Sequence, residues 1–182
     1  IRPPEIGLLA AVGRATVSVF PRPTVAIVST GNEIVEAHET PGPGQIRNSN
    51  GPTLAALVTR AGGVPNYLGI ARDLSDELRR LIQRGLDADI LVLSGGVSAG
   101  ELDLVPGVLR ELGVREVFHK VNLKPGKPVW FGNAECRVQN AEFGTGEEGR
   151  TGEARKSQFS IPHSAFHVPH SSLVFGLPGN PV

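Results

Sequence analysis

Short apolar runs alternate with stretches of helical periodicity along most of the chain. Runs rich in Val, Ile and Leu, bounded by Gly and polar residues, predict strands over residues 24–29, 66–70, 90–93, 117–121 and 129–131. Apolar residues three and four positions apart predict helices over 54–61, from Ser75 onward and over 105–112. Short buried strands that alternate with helices are typical of an α/β fold. We expect a three-layer α/β/α arrangement, in which a mostly parallel sheet has helices on both faces.

Capping residues, prolines and glycines mark the ends of two predicted helices. Asn50 is the predicted N-cap of the 54–61 helix, with Pro52 in its first turn and Gly62-Gly63 at its end. Ser75 is the predicted N-cap of the following helix, and two acidic residues come directly after it.

One internal stretch and both ends of the chain depart from this pattern. Residues 133–173 are polar and rich in glycine and charge, which predicts a disordered insert rather than a zinc site built on its histidines, His163, His167 and His170. Residues 1–23 are expected to be the tail of a preceding region plus a linker, and residues 24–182 the α/β domain. The chain contains no Met and stops where a further helix is predicted. We therefore expect a fragment whose C-terminal helix and further domains are missing.

Composition and charge exclude several classes of function. The 182 residues include 18 Lys plus Arg and 18 Asp plus Glu, so the formal net charge is zero. Without a strongly basic surface, and with only seven Phe, one Trp and one Tyr, no nucleic-acid partner is expected. No apolar run approaches the roughly 18 residues of a membrane span, so no membrane partner is expected either. The single cysteine, Cys136, excludes an intramolecular disulfide and favours a cytoplasmic, reducing location.

Three loops that follow predicted parallel strands each carry a carboxylate: Glu33, Asp73 and Asp103. Right-handed crossovers bring such loops to one edge of the sheet, where α/β proteins bind their ligands. Carboxylates beside hydroxyls such as those of Thr30 and Ser98 suit a hard cation such as Mg²⁺. Each carboxylate taken alone is also compatible with an ordinary loop position or a helix cap.

Two further turns at this edge are candidate anion sites. In residues 94–100 (SGGVSAG) the glycines let backbone N–H groups approach phosphate oxygens, although a tight strand-to-helix turn has the same composition. In residues 124–128 (KPGKP) a type II turn would bring Lys124 and Lys127 within about 7 Å at Cα. Two ammonium groups held that close repel each other, and a bound anion would offset the repulsion. The alternative is a solvated hairpin turn with two free lysines.

Residues 177–181 (LPGNP) carry the same turn chemistry. Pro178-Gly179 predicts a type II turn, and Asn180 and Pro181 have the types expected at the cap and first position of a helix. A helix N-terminus there would add an anion site, whereas the alternative is a plain loop end.

Six motifs, in order, resemble the central molybdopterin-binding domain of the molybdopterin molybdotransferases, the family that includes the gephyrin E domain. They cover most of the chain apart from 133–173. The motifs are STGNE (29–33), PGQIRNSN (43–50), LGIARD (68–73), SGGVSAGELD (94–103), HKVNLKPGKP (119–128) and LPGNP (177–181). The resemblance implies an Mg²⁺-dependent transferase of molybdenum cofactor biosynthesis. Such an enzyme inserts molybdate into adenylylated molybdopterin, the small-molecule substrate, and releases AMP.

The resemblance also implies roles for individual residues. The molybdate-binding set is Lys124, Lys127 and Pro128, and the catalytic and metal-binding set is Glu33, Asp73 and Asp103. The substrate and phosphate-binding set is Thr30, Gly31, Asn50, Gly95, Gly96, Val97, Ser98, Pro178, Gly179, Asn180 and Pro181. One departure is Asn32, which stands where the family usually has Asp. The resemblance further implies a homodimeric parent enzyme, completed by domains outside this chain, so that the chain alone is expected to be inactive.

Two other functions are compatible with the sequence. An enzyme of the same fold that acts on pyridine nucleotides, as in the competence-damage-inducible proteins, is disfavoured by the paired lysines of KPGKP. A non-catalytic scaffold is the second alternative, and only the 133–173 stretch offers it an obvious surface.

Overall fold

The structure is a computed structural model that describes residues 1–97, 104–122, 127–135 and 171–179. The helices in these ranges are α1 (Pro3–Ala11), α2 (Asn50–Arg60), α3 (Ser75–Gly85) and α4 (Leu104–Glu111). The strands are β1 (Thr24–Thr30), β2 (Ile34–Val35), β3 (Ile46–Arg47), β4 (Val64–Ala71), β5 (Ile90–Ser94), β6 (Val114–His119), β7 (Trp130–Glu135) and β8 (Ser171–Leu177). None of the helices in these ranges is both long and apolar enough to span a membrane.

Six strands form one sheet in the order β4-β1-β5-β8-β7-β6. The four strands from β4 to β8 are parallel, while β7 and β6 continue the sheet in antiparallel fashion. Strands β2 and β3 pair with each other as a separate parallel ribbon. Because β1, β4, β5 and β8 run in one direction, their carboxyl ends lie along the same edge of the sheet.

Helices pack on both faces of this sheet, as β1 illustrates. Ala26 and Val28 belong to the buried cluster that includes the apolar residues of α3 and α4. Ser29 points to the opposite face, because successive strand residues alternate, and there it lies beside Gly51 of α2. The predicted three-layer α/β fold with a mostly parallel sheet is confirmed.

The predicted limits of the polar insert are wrong at both ends. Residues 133–135 belong to β7 and residues 171–173 to β8, where Asn133 pairs with Leu173 and Ala134 with Ser172. The strand ladder is made by backbone groups, so polar side chains such as those of Asn133 and Ser172 are accommodated in it. The rest of the stretch, residues 136–170, lies outside the described ranges. The predicted disorder and the three histidines fall there.

Other boundaries shift by a few residues. The predicted strand 117–121 lies at Val114–His119, because Gly113, with φ of +82°, ends the turn after α4 earlier than expected. Both predicted N-caps are the first residues of their helices, since Ser49 and Leu74 hold the cap positions. In α2 the side chain of Asn48 accepts the N–H of Gly51. The tail over residues 1–23 contains α1 and has no buried residue.

Candidate functional site

A cleft of about 470 Å³ opens at the carboxyl edge of the parallel strands. Residues that follow β1, β4, β5 and β8 meet there with the ribbon β2-β3 and the first turn of α2. Of the predicted site residues in the described ranges, those lining it are Thr30, Gly31, Glu33, Asn50, Asp73, Gly95, Gly96, Val97, Pro128, Pro178 and Gly179. The predicted residues Ser98, Asp103, Lys124, Asn180 and Pro181 lie outside the described ranges.

The back of the cleft is made by closely packed glycine backbone. Gly95 and Gly96 have φ of +102° and +64°, a region that favours glycine. A Cβ added to Gly95 would lie 2.5 Å from the carbonyl oxygen of Thr30, and one added to Gly179 would lie 3.2 Å from the Cα of Gly95. The N–H of Gly95 donates to the carbonyl of Leu177 at 3.0 Å. Side chains are thus excluded where the ends of β1, β5 and β8 meet, which leaves backbone exposed to a ligand.

The Asn50 amide connects three of the segments around the cleft. Its Nδ2 donates to the hydroxyl of Ser94 at 2.9 Å and to the carbonyl of Gly179 at 2.7 Å. An amide nitrogen has two hydrogens, so both donors are used within the protein. Asn50 therefore holds the start of α2 against the ends of β5 and β8, and a phosphate would have to displace one of these bonds to accept from it.

Two carboxylates face the cleft, and both are exposed. The side chain of Glu33 folds over Gly31, where a Cβ would lie 2.6 Å from Oε2 of Glu33. The loop that carries Asp73 is fixed by Asn32, whose Oδ1 accepts the N–H of Asp73 at 3.1 Å. Asn32 thus supplies the acceptor that an Asp would supply there, without the negative charge. No group of three or more His, Cys, Asp or Glu side chains suited to a metal occurs among the described residues.

The predicted turn over residues 124–128, the lysine turn, reaches the cleft through Pro128, which is one of the lining residues. Lys127 is exposed, and its carbonyl accepts the N–H of Val121 at 3.0 Å. The N–H of Lys120 donates to the carbonyl oxygen of Val129 at 2.7 Å, and this bond closes the base of the connection between β6 and β7. Lys120 itself has φ of +74°, so the backbone reverses sharply there. The second lysine of the predicted pair, Lys124, lies outside the described ranges.

A buried polar network under the cleft was missed from the sequence. Asn48 is 4% exposed and donates to the hydroxyls of Ser29 at 3.0 Å and of Tyr67 at 2.7 Å. The Tyr67 hydroxyl donates in turn to Oε1 of Glu36 at 2.9 Å. Burial, followed by the hydrogen bond and charge of Glu36, raises the pKa of Tyr67 to about 12. The signal was the pair of polar residues Asn48 and Asn50 in the motif at 43–50, of which only Asn50 was assigned a role.

Comparisons with known proteins agree on one family. A family model described as a probable molybdopterin binding domain matches residues 26–182. A molybdopterin molybdenumtransferase of Nostoc sp. (strain PCC 7120 / SAG 25.82 / UTEX 2576) is 35% identical over 97% of this chain and 34% of its own length. A protein of the same name from Bacillus subtilis (strain 168) is 36% identical over 74% of this chain and 31% of its own. The chain thus spans about a third of the length of these curated relatives.

Solved structures show the same fold. The molybdopterin biosynthesis moea protein from Pyrococcus horikosii matches with a TM-score of 0.65 and 32% identity, over 97% of this chain and 35% of that one. The tungsten cofactor synthesizing protein MoaB from Pyrococcus furiosus matches with a TM-score of 0.51 over 89% of this chain and 85% of that one. At 14% identity, the second likeness concerns the fold alone.

Proposed function

Since the chain belongs to the family of molybdopterin-binding domains, we propose that it serves the step of molybdenum cofactor biosynthesis that inserts molybdate into adenylylated molybdopterin and releases AMP. The observation that carries the proposal is the cleft itself, in which glycine backbone, two carboxylates and the end of a lysine turn share one edge of the sheet. Each of these groups matches one part of the reactants.

The glycine backbone suits the phosphates of the substrate. The N–H of Gly95 is engaged by the carbonyl of Leu177, so the N–H groups of Gly96 and Gly179, which no side chain of their own covers, are those that can approach phosphate oxygens. Thr30 and Gly31 border the same space. We assign the pyrophosphate of adenylylated molybdopterin to this part of the cleft, with Ser98, Asn180 and Pro181 as further contacts.

The carboxylates suit Mg²⁺ and the catalytic role. Glu33 and Asp73 line one cleft, and Mg²⁺ is usually held by one or two carboxylates together with substrate phosphates. The residues present therefore fit the ion, with Asp103 as the third member of the set. When bound, Mg²⁺ would neutralise negative charge on the phosphates. Glu33 and Asp73 have the wrong sign to contact molybdate directly, so they act through Mg²⁺ on the nucleotide side of the cleft.

The lysine turn suits molybdate. Lys127 and Lys124 supply two positive charges for a compact dianion, and Pro128 brings the turn to the cleft. Pro128 also stiffens the backbone next to Lys127, which fixes the exit of the turn at the molybdate side of the cleft. An oxyanion would then sit beside the phosphate that is displaced with AMP.

The setting of the enzyme is also part of the proposal. We place it in the cytoplasm as a homodimer, supported by the family resemblance and by the single cysteine of the chain. Its partner is then a small molecule, with neither nucleic acid nor membrane involved, as the zero net charge favours.

Equilibrium binding to the chain tests the proposal without requiring turnover. Adenylylated molybdopterin with Mg²⁺ should bind, whereas NAD⁺, a pyridine nucleotide that also carries an adenosine-linked pyrophosphate, should bind at least about ten-fold more weakly. Equal or tighter binding of NAD⁺ would favour an enzyme acting on pyridine nucleotides and overturn the proposal.

Substitutions then separate the two sides of the cleft. Lys127→Ala should weaken molybdate binding roughly ten- to a hundred-fold and leave adenylylated molybdopterin nearly unaffected. Asp103→Ala should instead reduce the Mg²⁺-dependent part of adenylylated molybdopterin binding. Arg60→Ala, at the exposed end of α2, is the control and should change neither. If Asp103→Ala weakens molybdate binding and Lys127→Ala does not, the molybdate and nucleotide sides of the cleft have been assigned the wrong way round.

A further inference from the structure

The described charges that line the cleft are two carboxylates and one guanidinium. Glu33 and Asp73 would repel an anionic ligand, and Arg47 is the only described cationic side chain among the lining residues. Lys127 lies on the neighbouring turn, whose Pro128 reaches the cleft. A ligand that carries several phosphate charges thus meets Arg47 as its nearest favourable charge on the side of the ribbon β2-β3.

The backbone around Arg47 is well fixed. Arg47 is paired with Val35 in the parallel ribbon, and the N–H of the next residue, Asn48, donates to the carbonyl of Val35 at 2.8 Å. Asn48 is buried and hydrogen-bonded on three sides. The Nε of Arg47 donates to the carbonyl of Glu39 at 3.1 Å, which fixes the base of the guanidinium as well. The backbone that presents Arg47 to the cleft is therefore fixed before any ligand binds, and one guanidinium N–H already has a partner in Glu39.

The two terminal amino groups of Arg47 are free of carboxylate partners. Three other arginines in the described ranges do pair with acids: Arg2 with Glu5, Arg79 with Glu111 and Arg110 with Glu116. No carboxylate in these ranges lies within ion-pairing distance of the Arg47 guanidinium. With Nε bound to a backbone carbonyl, Nη1 and Nη2 keep the fork geometry that matches two oxygens of a phosphate.

We infer that Arg47 is a binding residue for the substrate's phosphate groups, contacting two oxygens of one phosphate through Nη1 and Nη2. The inference deepens the proposed function and rests on it for the identity of the ligand, but the chemistry requires only a pyrophosphate or similar anion. Arg47 would hold the anion at the ribbon side of the cleft, which the glycine backbone of Gly95 and Gly179 also lines. The α2 side of the cleft, where Asn50 has both donors engaged, then needs no direct contact.

Inorganic pyrophosphate is the probe, and calorimetric titration of the chain is the measurement. Arg47→Gln should weaken pyrophosphate binding about ten-fold, because a charge-assisted bidentate contact is lost. Arg47→Lys keeps the positive charge but loses the two-pronged guanidinium, so its affinity for pyrophosphate should lie between those of the unaltered chain and Arg47→Gln. Arg60→Gln, a matched change at an exposed position of α2, should bind like the unaltered chain. The dependence of affinity on salt should also be weaker for Arg47→Gln.

Three outcomes overturn the inference: no pyrophosphate binding by the unaltered chain, equal affinity for Arg47→Gln, or equal losses for Arg47→Gln and Arg60→Gln. Folding is checked by the urea midpoint, which should differ little between variants, since Arg47 is exposed and its side chain's one hydrogen bond among the described residues is to the exposed Glu39. Arg47→Lys provides the test if Arg47→Gln unfolds. Failure of the proposed function gives a different result. The chain would then bind pyrophosphate in an Arg47-dependent way and still not prefer adenylylated molybdopterin to NAD⁺.

Discussion

The Nε2 atom of His119 lies 3.1 Å from the carbonyl oxygen of Val97. A carbonyl only accepts, so Nε2 carries the hydrogen and donates it. His119 is the last residue of β6 and comes directly before the connection that carries Lys127. Val97 is buried, with 1% of its surface exposed, and belongs to the glycine-rich segment 95–97 that follows β5. This one bond therefore couples the proposed molybdate side of the cleft to its phosphate side.

The first prediction concerns this coupling. His119→Phe keeps a ring of similar size but removes the donor, so we expect the free energy of unfolding to fall by about 1 kcal/mol and molybdate to bind several-fold more weakly. Urea unfolding and equilibrium binding measure the two effects. His38→Phe is the control, because His38 is exposed and does not line the cleft. Unchanged stability and binding in His119→Phe would show that the bond positions nothing.

The second prediction concerns the Asn50 amide. Asn50→Asp preserves the side-chain shape but places an acceptor against the carbonyl of Gly179 and removes both donors. We expect the unfolding free energy to fall by about 2 kcal/mol, since two neutral hydrogen bonds are lost. Asn66→Asp, at an exposed position of β4, introduces the same charge and should shift the urea midpoint little. If both variants unfold at the same urea concentration, Asn50 does not brace the cleft.

The third prediction uses the fact that Tyr67 is the only tyrosine of the chain. Its phenolate absorbance should titrate with a pKa of about 12 in the folded chain and near 10 in urea. Because the folded state holds the proton more tightly, Tyr67's contribution to stability is complete below pH 10 and is lost as the pH rises towards 12. Glu36→Gln should lower the folded pKa, and Glu39→Gln, an exposed neighbour, should lower it much less. Identical folded and unfolded titrations would contradict the buried network.

Rules of chain topology explain how much of the site could be predicted. Glu33 and Asp73 are far apart in sequence, yet parallel strands with right-handed crossovers bring the loops after them to one edge. The glycines at 95 and 96 were recognised because a tight turn after a buried strand demands them, and their positive φ agrees. Both inferences need only the order of the elements and the residue types at strand ends.

Side-chain pairings across the fold could not be predicted in the same way. Asn50 bonds Ser94 and Gly179, 44 and 129 residues further along the chain, and nothing local distinguishes it from a helix cap. Arg47 is in the cleft because a two-residue ribbon holds it there, and so short a strand has no readable periodicity. The ends of β7 and β8 were misassigned because their polar residues are kept in strand by the partner strand.

The last prediction concerns the connection between β7 and β8. Glu135 and Ser171 are direct partners in the antiparallel ladder, so residues 136–170 leave and re-enter the sheet at neighbouring points. Replacing 136–170 by Asn-Gly, a two-residue hairpin turn, should leave the fold intact. For a connection that is disordered, as the sequence predicts for these residues, each halving of its length contributes about 0.6 kcal/mol, so the unfolding free energy should rise on the order of 2 kcal/mol. Urea unfolding measures this, and pyrophosphate affinity should stay unchanged. A lower urea midpoint would mean that 136–170 stabilises the domain.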